Sequence, residues 1–174
     1  MDILKIALDW AKTELVSTTF FMIVGIVFML ISLGFWQYGK TDLARAYIIP
    51  ILVAGVFLLI VGIGLFATNK SRITEFEIDH KKDAAVFVQK ELDRVEGTLK
   101  EYKTVVFTAI PIIIILCAVV IYFVPIPVWR ASMIVAILML GIILFIDGLA
   151  HARIDDYQKS LLQAQHEFSA LTEN

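Results

Sequence analysis

With a single cysteine, Cys117, the chain can form no intrachain disulfide, and its fold cannot depend on an oxidising compartment. It also lacks a charge excess: 15 Lys and Arg stand against 17 Asp and Glu, a net charge of -2. That balance gives no basic footprint for nucleic acid and no global field to steer a charged substrate. Catalytic motifs are missing too. His80, His151 and His166 are not at metal-ligand spacing with one another, no Gly-rich phosphate loop occurs, and no nucleophile sits by an evident base. These gaps point to a non-enzymatic protein with no metal and no cofactor.

Charge is scarce overall, at 18% of residues, while 59% are hydrophobic and the mean hydropathy is +0.83. Soluble domains sit near half apolar with about a quarter charged, so this composition indicates a membrane protein. Uncharged stretches run over 15–39, 46–69 and 104–129, and a fourth over 131–152 is broken only by Asp147. About 20 apolar residues cross a hydrocarbon core of about 30 Å, because amides without water must close their own bonds as helix. Four transmembrane helices are expected, near 17–37, 46–67, 104–124 and 128–149. The first is not expected to be a cleaved signal, since 16 mixed residues precede it and the run lacks a small-x-small site.

Short loops join the first span to the second and the third to the fourth, giving two transmembrane hairpins, 17–67 and 104–149. Lys40, Arg45 and Arg130 are the only basic residues on the loop side; all others lie in the N-terminal segment, the 68–103 linker and the 150–174 tail. The positive-inside rule therefore places both termini and the linker in the cytoplasm. Trp36, Tyr38, Tyr122 and Trp129 cluster at the opposite ends, as interfacial aromatics do. In residues 1–16, Asp2, Lys5, Asp9 and Lys12 lie across a helix from Ile3, Ile6, Ala7, Trp10 and Ala11. This amphipathic helix either lies flat in the inner interface or packs against the protein's own stalk.

The helices are not expected to stop at the membrane. Val88, Leu92, Val95, Leu99, Tyr102 and Val106 recur at steps of four and three into the third span, and Ile154, Tyr157, Leu161, Ala164, Phe168 and Leu171 do so after the fourth. Two such seams of matched length predict an all-α membrane protein with a cytoplasmic coiled-coil-like stalk. Asp83, after the polar cluster at 79–83, is the expected N-cap of the linker helix. The phrases "SRITEF" and "ARIDDY" mark the two exits, with Arg72 and Arg153 reaching headgroup phosphates and Ile73 and Ile154 starting the seam.

Asp147 is the only formal charge in the spans, with His151 one turn further on the same face. It is either an ion or proton site or a group shallow enough to meet water or pair with a base at the foot of the stalk, Arg153 or Arg72. Gly55, Gly62, Gly141 and Gly148, in pairs seven apart, suit close helix packing. Pro50 and Pro111 fall inside spans two and three and mark kinks. The expected function is a self-associating membrane assembly protein, in contact with membrane lipids, whose stalk meets copies of itself or a cytoplasmic protein. The alternative is a homo-oligomeric channel with the stalks as its vestibule.

Overall fold

Asp2 caps the first helix by accepting from the Lys5 N–H at 3.1 Å, and with no proline to interrupt it α1 runs from Ile3 to Tyr38. Its 36 residues rise about 54 Å at about 1.5 Å each, well beyond a hydrocarbon core of about 30 Å. The computed structural model describes residues 2–172, and side chains through residue 170. After the short α2 (Asp42–Ala46) come α3 (Ile48–Lys82), α4 (Ala84–Glu101), a π-helical stretch (Tyr102–Ala109), α5 (Ile110–Phe123) and α6 (Pro127–Thr172). No strand occurs among the described residues. Four helical rods, with α4, the π stretch and α5 forming one of them, are long and apolar enough to cross a membrane.

Asp83 caps α4 as its sequence position predicts, accepting from the Ala85 and Val86 N–H groups at 2.9 and 3.0 Å. The prolines behave less simply. Pro50 lies in the first turn of α3, three residues after the break at Tyr47 that separates α3 from α2; lacking an N–H it cannot bond the Ala46 carbonyl four residues back, which a continuous helix would require. Pro111 is the second residue after the π stretch, within which the Thr108 hydroxyl donates to the Lys103 carbonyl at 2.8 Å. A proline ring clashes with the carbonyl four residues earlier, and widening the preceding turn is one way to relieve it.

α1 and α3 make the most extensive contact and run antiparallel. Ser32 donates to the Ile48 carbonyl at 2.7 Å, Gly25 faces Gly55, and Met22 faces Gly62. A Cβ on Gly55 would lie 2.8 Å from the Gly25 carbonyl oxygen, and one on Gly62 would lie 2.8 Å from Met22 Cγ, so both glycines sit in close contact as expected. Gly141 and Gly148 do not: a Cβ on either meets nothing within 4 Å. They lie on faces of α6 turned away from the chain. α5 comes close to α6 but not to α1 or α3, which leaves it at the edge of the assembly.

Two apolar clusters result. Phe21, Phe28, Ile51, Ala54, Leu58 and Val135 fill the space between α1, α3 and α6 in the apolar half. The other cluster joins the extended ends: Ile3, Ala7, Trp10 and Ala11 from α1, Phe76 from α3, Phe87, Val88, Leu92 and Val95 from α4, and Ile154, Tyr157, Leu161 and Ala164 from α6. Leu99, Tyr102 and Phe168 pack on it while partly exposed. The side chain of Leu171 lies outside the described residues.

Residues 3–16 are the opening turns of α1 and form no separate element; their apolar face, with Ile3, Ala7, Trp10 and Ala11, is covered by protein, which removes from water the surface that would otherwise seek lipid. α4 and the end of α6 pass antiparallel, with Gln165 donating to Gln89 at 2.7 Å and the Tyr157 hydroxyl to Glu91 at 3.1 Å.

Candidate functional site

The two exit phrases converge on one polar region where the apolar half meets the helical extensions. Heptad spacing carries Ile73 and Phe76, and likewise Ile154 and Tyr157, into the extension cluster, so each preceding arginine is held close to the helix contacts. Neither arginine points out to headgroups. Arg153 donates to Glu14 Oε1 at 3.0 Å and to the Ser17 hydroxyl at 2.6 Å, tying α6 to α1. Arg72 donates to Asn69 Oδ1 at 2.7 Å and has no carboxylate within ion-pair distance among the described residues. The reason is burial on the seam side: the guanidinium fork finds acceptors inside and does not need to snorkel.

Next to this pair is a closed ring of contacts. Arg94 makes a bidentate bond to Glu91, at 2.9 and 2.6 Å. Glu91, 3% exposed, also accepts from Tyr157, whose ring stacks on Trp10 at 5.0 Å. The Arg94 guanidinium lies 4.7 Å from the Trp10 ring centre. Three rods are thus joined by one ring stack, one phenol hydrogen bond and one cation–π contact, around a salt bridge within α4. Burial, and next the Glu91 charge, push the Tyr157 phenol far above its ordinary range, so it remains a donor. The Trp10 Nε1 is the one buried side-chain polar atom without a partner among the described residues.

Between the ring and the apolar half lies a chamber of about 210 Å³, bordered by Trp10, Glu14, Arg72, Arg94, Glu101 and Asp147. A second space of about 290 Å³ adjoins it, sharing Leu65, Thr98, Glu101, Tyr102 and Asp147 and adding Val105 and Val106 of the π stretch. Asp147 faces both, half-buried, and makes no hydrogen bond or ion pair among the described residues. It does not pair with Arg153, whose donors are taken by Glu14 and Ser17. His151, one turn further along α6, meets Tyr102 edge-on at 5.7 Å and Phe107 at 5.0 Å. No cluster of three metal-ligating side chains exists among the described residues.

Burial raises the Glu14 carboxyl above its ordinary 4.5, and the hydrogen bond and charge of Arg153 oppose that shift. Burial, and next the Arg94 charge, lower Arg72. For Glu14 the sign follows from proton counting. Between 4.5 and the raised value the folded chain binds more protons than the unfolded one, so stability falls as pH rises through that window. Glu14→Gln is expected to flatten this decline, read as the unfolding midpoint at a series of pH values. A decline of unchanged slope in the variant would assign it to other groups.

The sequence places Trp10 on the apolar face of the first helix but does not single out Glu14, Glu91 or Arg94. Glu14 and Glu91 each stand at a heptad position among apolar neighbours, a signal that marks an acid turned inward. The chain matches no protein-family model, and no curated protein or solved structure matches it.

Proposed function

We propose that this chain is a non-enzymatic, self-associating integral membrane assembly protein whose helical extensions form a cytoplasmic coiled-coil-like stalk and an interaction surface. The observation that carries self-association is the imbalance between its two pairs of spans. In the apolar windows of α1 and α3, 28% of residues are buried, against 17% in the rod containing α5 and 11% in α6. α5 approaches only α6 within the apolar half, and Gly141 and Gly148 present open helix backbone.

Helix association in lipid gains energy from close backbone approach. In this reading a second copy seats on the α5–α6 face as α3 seats on α1 within the chain. The stalk is held as one body by the Trp10, Glu91, Arg94 and Tyr157 ring, so it presents its polar outer faces in fixed geometry. The excess of Lys and Arg around the linker and both termini supports a cytoplasmic position. The channel reading requires a lumen between copies, because the space between spans within one chain is filled by residues such as Phe28, Leu58 and Val135.

The test is the mass of the intact particle in lipid nanodiscs, for the natural chain and for Gly141→Leu. The natural chain is expected as a particle of more than one copy and the variant as single copies with unchanged helix content. A natural chain found only as monomers would overturn self-association. Equal copy number in the two would overturn the α6 face as its seat.

A further inference from the structure

We propose that the chamber at the foot of the extensions binds the headgroup of a phospholipid carrying both a phosphate and a primary ammonium, entering from the bilayer between α3 and the π stretch. The inference does not rest on self-association, since every residue involved belongs to one chain.

The first support is which charges the fold leaves over. Among the ionic groups bordering or touching the chamber, Glu14 is committed to Arg153 and Arg94 to Glu91. Arg72, Asp147 and Glu101 are not in any ion pair among the described residues. Arg72 and Arg94 both border the chamber. Burying a cation without a direct ion-pair partner is costly, and the guanidinium forks of two arginines on one chamber wall match the oxygens of a tetrahedral oxyanion. Asp147 and Glu101 offer the opposite charge along the same wall. A ligand with one anionic and one hydrogen-bonding cationic end answers both.

The second support is the shape of the opening. The adjoining space is walled by Leu65 and Val105, which are 41% and 53% exposed on the outer surface. Both lie next to the apolar spans, where acyl chains would pass. The backbone on this side is the π stretch Tyr102–Ala109, and π-helical widening is frequent where a helix borders a functional site. The inner chamber, at about 210 Å³, is far larger than the about 10–15 Å³ that one water needs. Its polar wall at the depth of the interface and its apolar doorway toward lipid favour a headgroup over a free solute.

The choice of a primary ammonium follows from the acceptors. Asp147 and Glu101 carboxylates reward N–H donors, which a phosphoethanolamine group has and a phosphocholine group lacks. A headgroup with no cation, as in phosphatidylglycerol, would leave both acids unanswered.

The test uses the full chain, delipidated in mild detergent and titrated with short-chain phosphatidylethanolamine, phosphatidylcholine or phosphatidylglycerol, with retained lipid counted by native mass spectrometry. One phosphatidylethanolamine per chain is expected, retained at least about tenfold more tightly than the other two; by the usual conversion about 1.4 kcal/mol corresponds to that factor. Arg72→Gln is expected to lose retention of all three, Arg72→Lys to restore part of it, and Asp147→Asn to retain lipid with the preference for the ammonium headgroup gone. Free phosphoethanolamine is included as a competitor: displacement of the lipid only at large excess supports entry from the bilayer, while equally tight binding of the free compound assigns the chamber to a soluble ligand and overturns the lipid source. Equal retention of all three lipids by the natural chain, or loss-free Arg72→Gln with unchanged helix content, overturns the site itself.

Discussion

Glu91→Ala is expected to destabilise the helical extensions by about 3–5 kcal/mol, the cost of removing one partner from a buried ion pair. The side chain of Glu91 is only 4% exposed and that of Arg94 is 22% exposed. Truncation leaves a guanidinium between Trp10 and an empty space, and strips the Tyr157 hydroxyl of its acceptor. Both losses act on the same contact, the meeting of α4 with α1 and α6. Hydrogen exchange should rise across residues 84–101 and 150–164 with little change in the apolar half. The paired variant Glu91→Leu with Arg94→Met should regain most of the loss, because removing both charges removes the desolvation penalty along with the attraction. Tyr157→Phe deletes a single hydrogen bond and is expected to cost about 1 kcal/mol. If the paired variant were as unstable as Glu91→Ala, the ring would be a packing feature in which charge has no part.

The difference between what could be read from the chain and what could not lies in the range of the interactions. Apolar runs of sufficient length, the cap at Asp83, and the burial of Val88, Leu92, Val95, Ile154, Tyr157 and Leu161 all follow from local rules: span length, a carboxylate before free amides, a period near 3.5. Even the burial of residues 3, 7, 10, 14, 18, 21, 25, 28 and 32 along α1 follows that period. Reading the first 16 residues apart from the span concealed it. Partner identity is another matter. Periodicity says which face turns inward but not which helix meets it, and Arg153 meets Glu14 across 139 positions.

For the same reason Arg153 looks like a headgroup anchor in sequence, since nothing local shows Glu14 and Ser17 waiting on α1; Arg72 by contrast meets Asn69 one turn back on its own helix. Helical spacing puts His151 one turn from Asp147 on the same face, but it does not show that His151 meets the aromatic rings of Tyr102 and Phe107 of the π stretch. Glycine spacing alone likewise cannot separate Gly55, pressed against backbone, from Gly141, which faces outward.

That contrast gives the sharpest test of the apolar half. Gly25→Ala and Gly55→Ala are each expected to weaken the α1–α3 contact by about 1–3 kcal/mol, the usual range for overpacking. A Cβ on Gly25 would sit 2.8 Å from the Gly55 carbonyl oxygen and 2.9 Å from the Leu59 amide nitrogen, and one on Gly55 would sit 3.0 Å from the Met29 amide nitrogen. All of these are backbone atoms, so no rotamer change can relieve the clash and the helices must separate. Separation would also stretch the Ser32 bond to the Ile48 carbonyl, now 2.7 Å. Gly141→Ala meets nothing within 4 Å in the chain and should leave monomer stability unchanged or improve it by up to about 1 kcal/mol through helix propensity. Unfolding in detergent, at dilution where single chains prevail, separates the two classes. Equal losses at Gly25 and Gly141 would mean that the glycines of α1 and α3 set no closest approach, and the antiparallel pair on which the rest of the apolar half is built would have to be drawn differently.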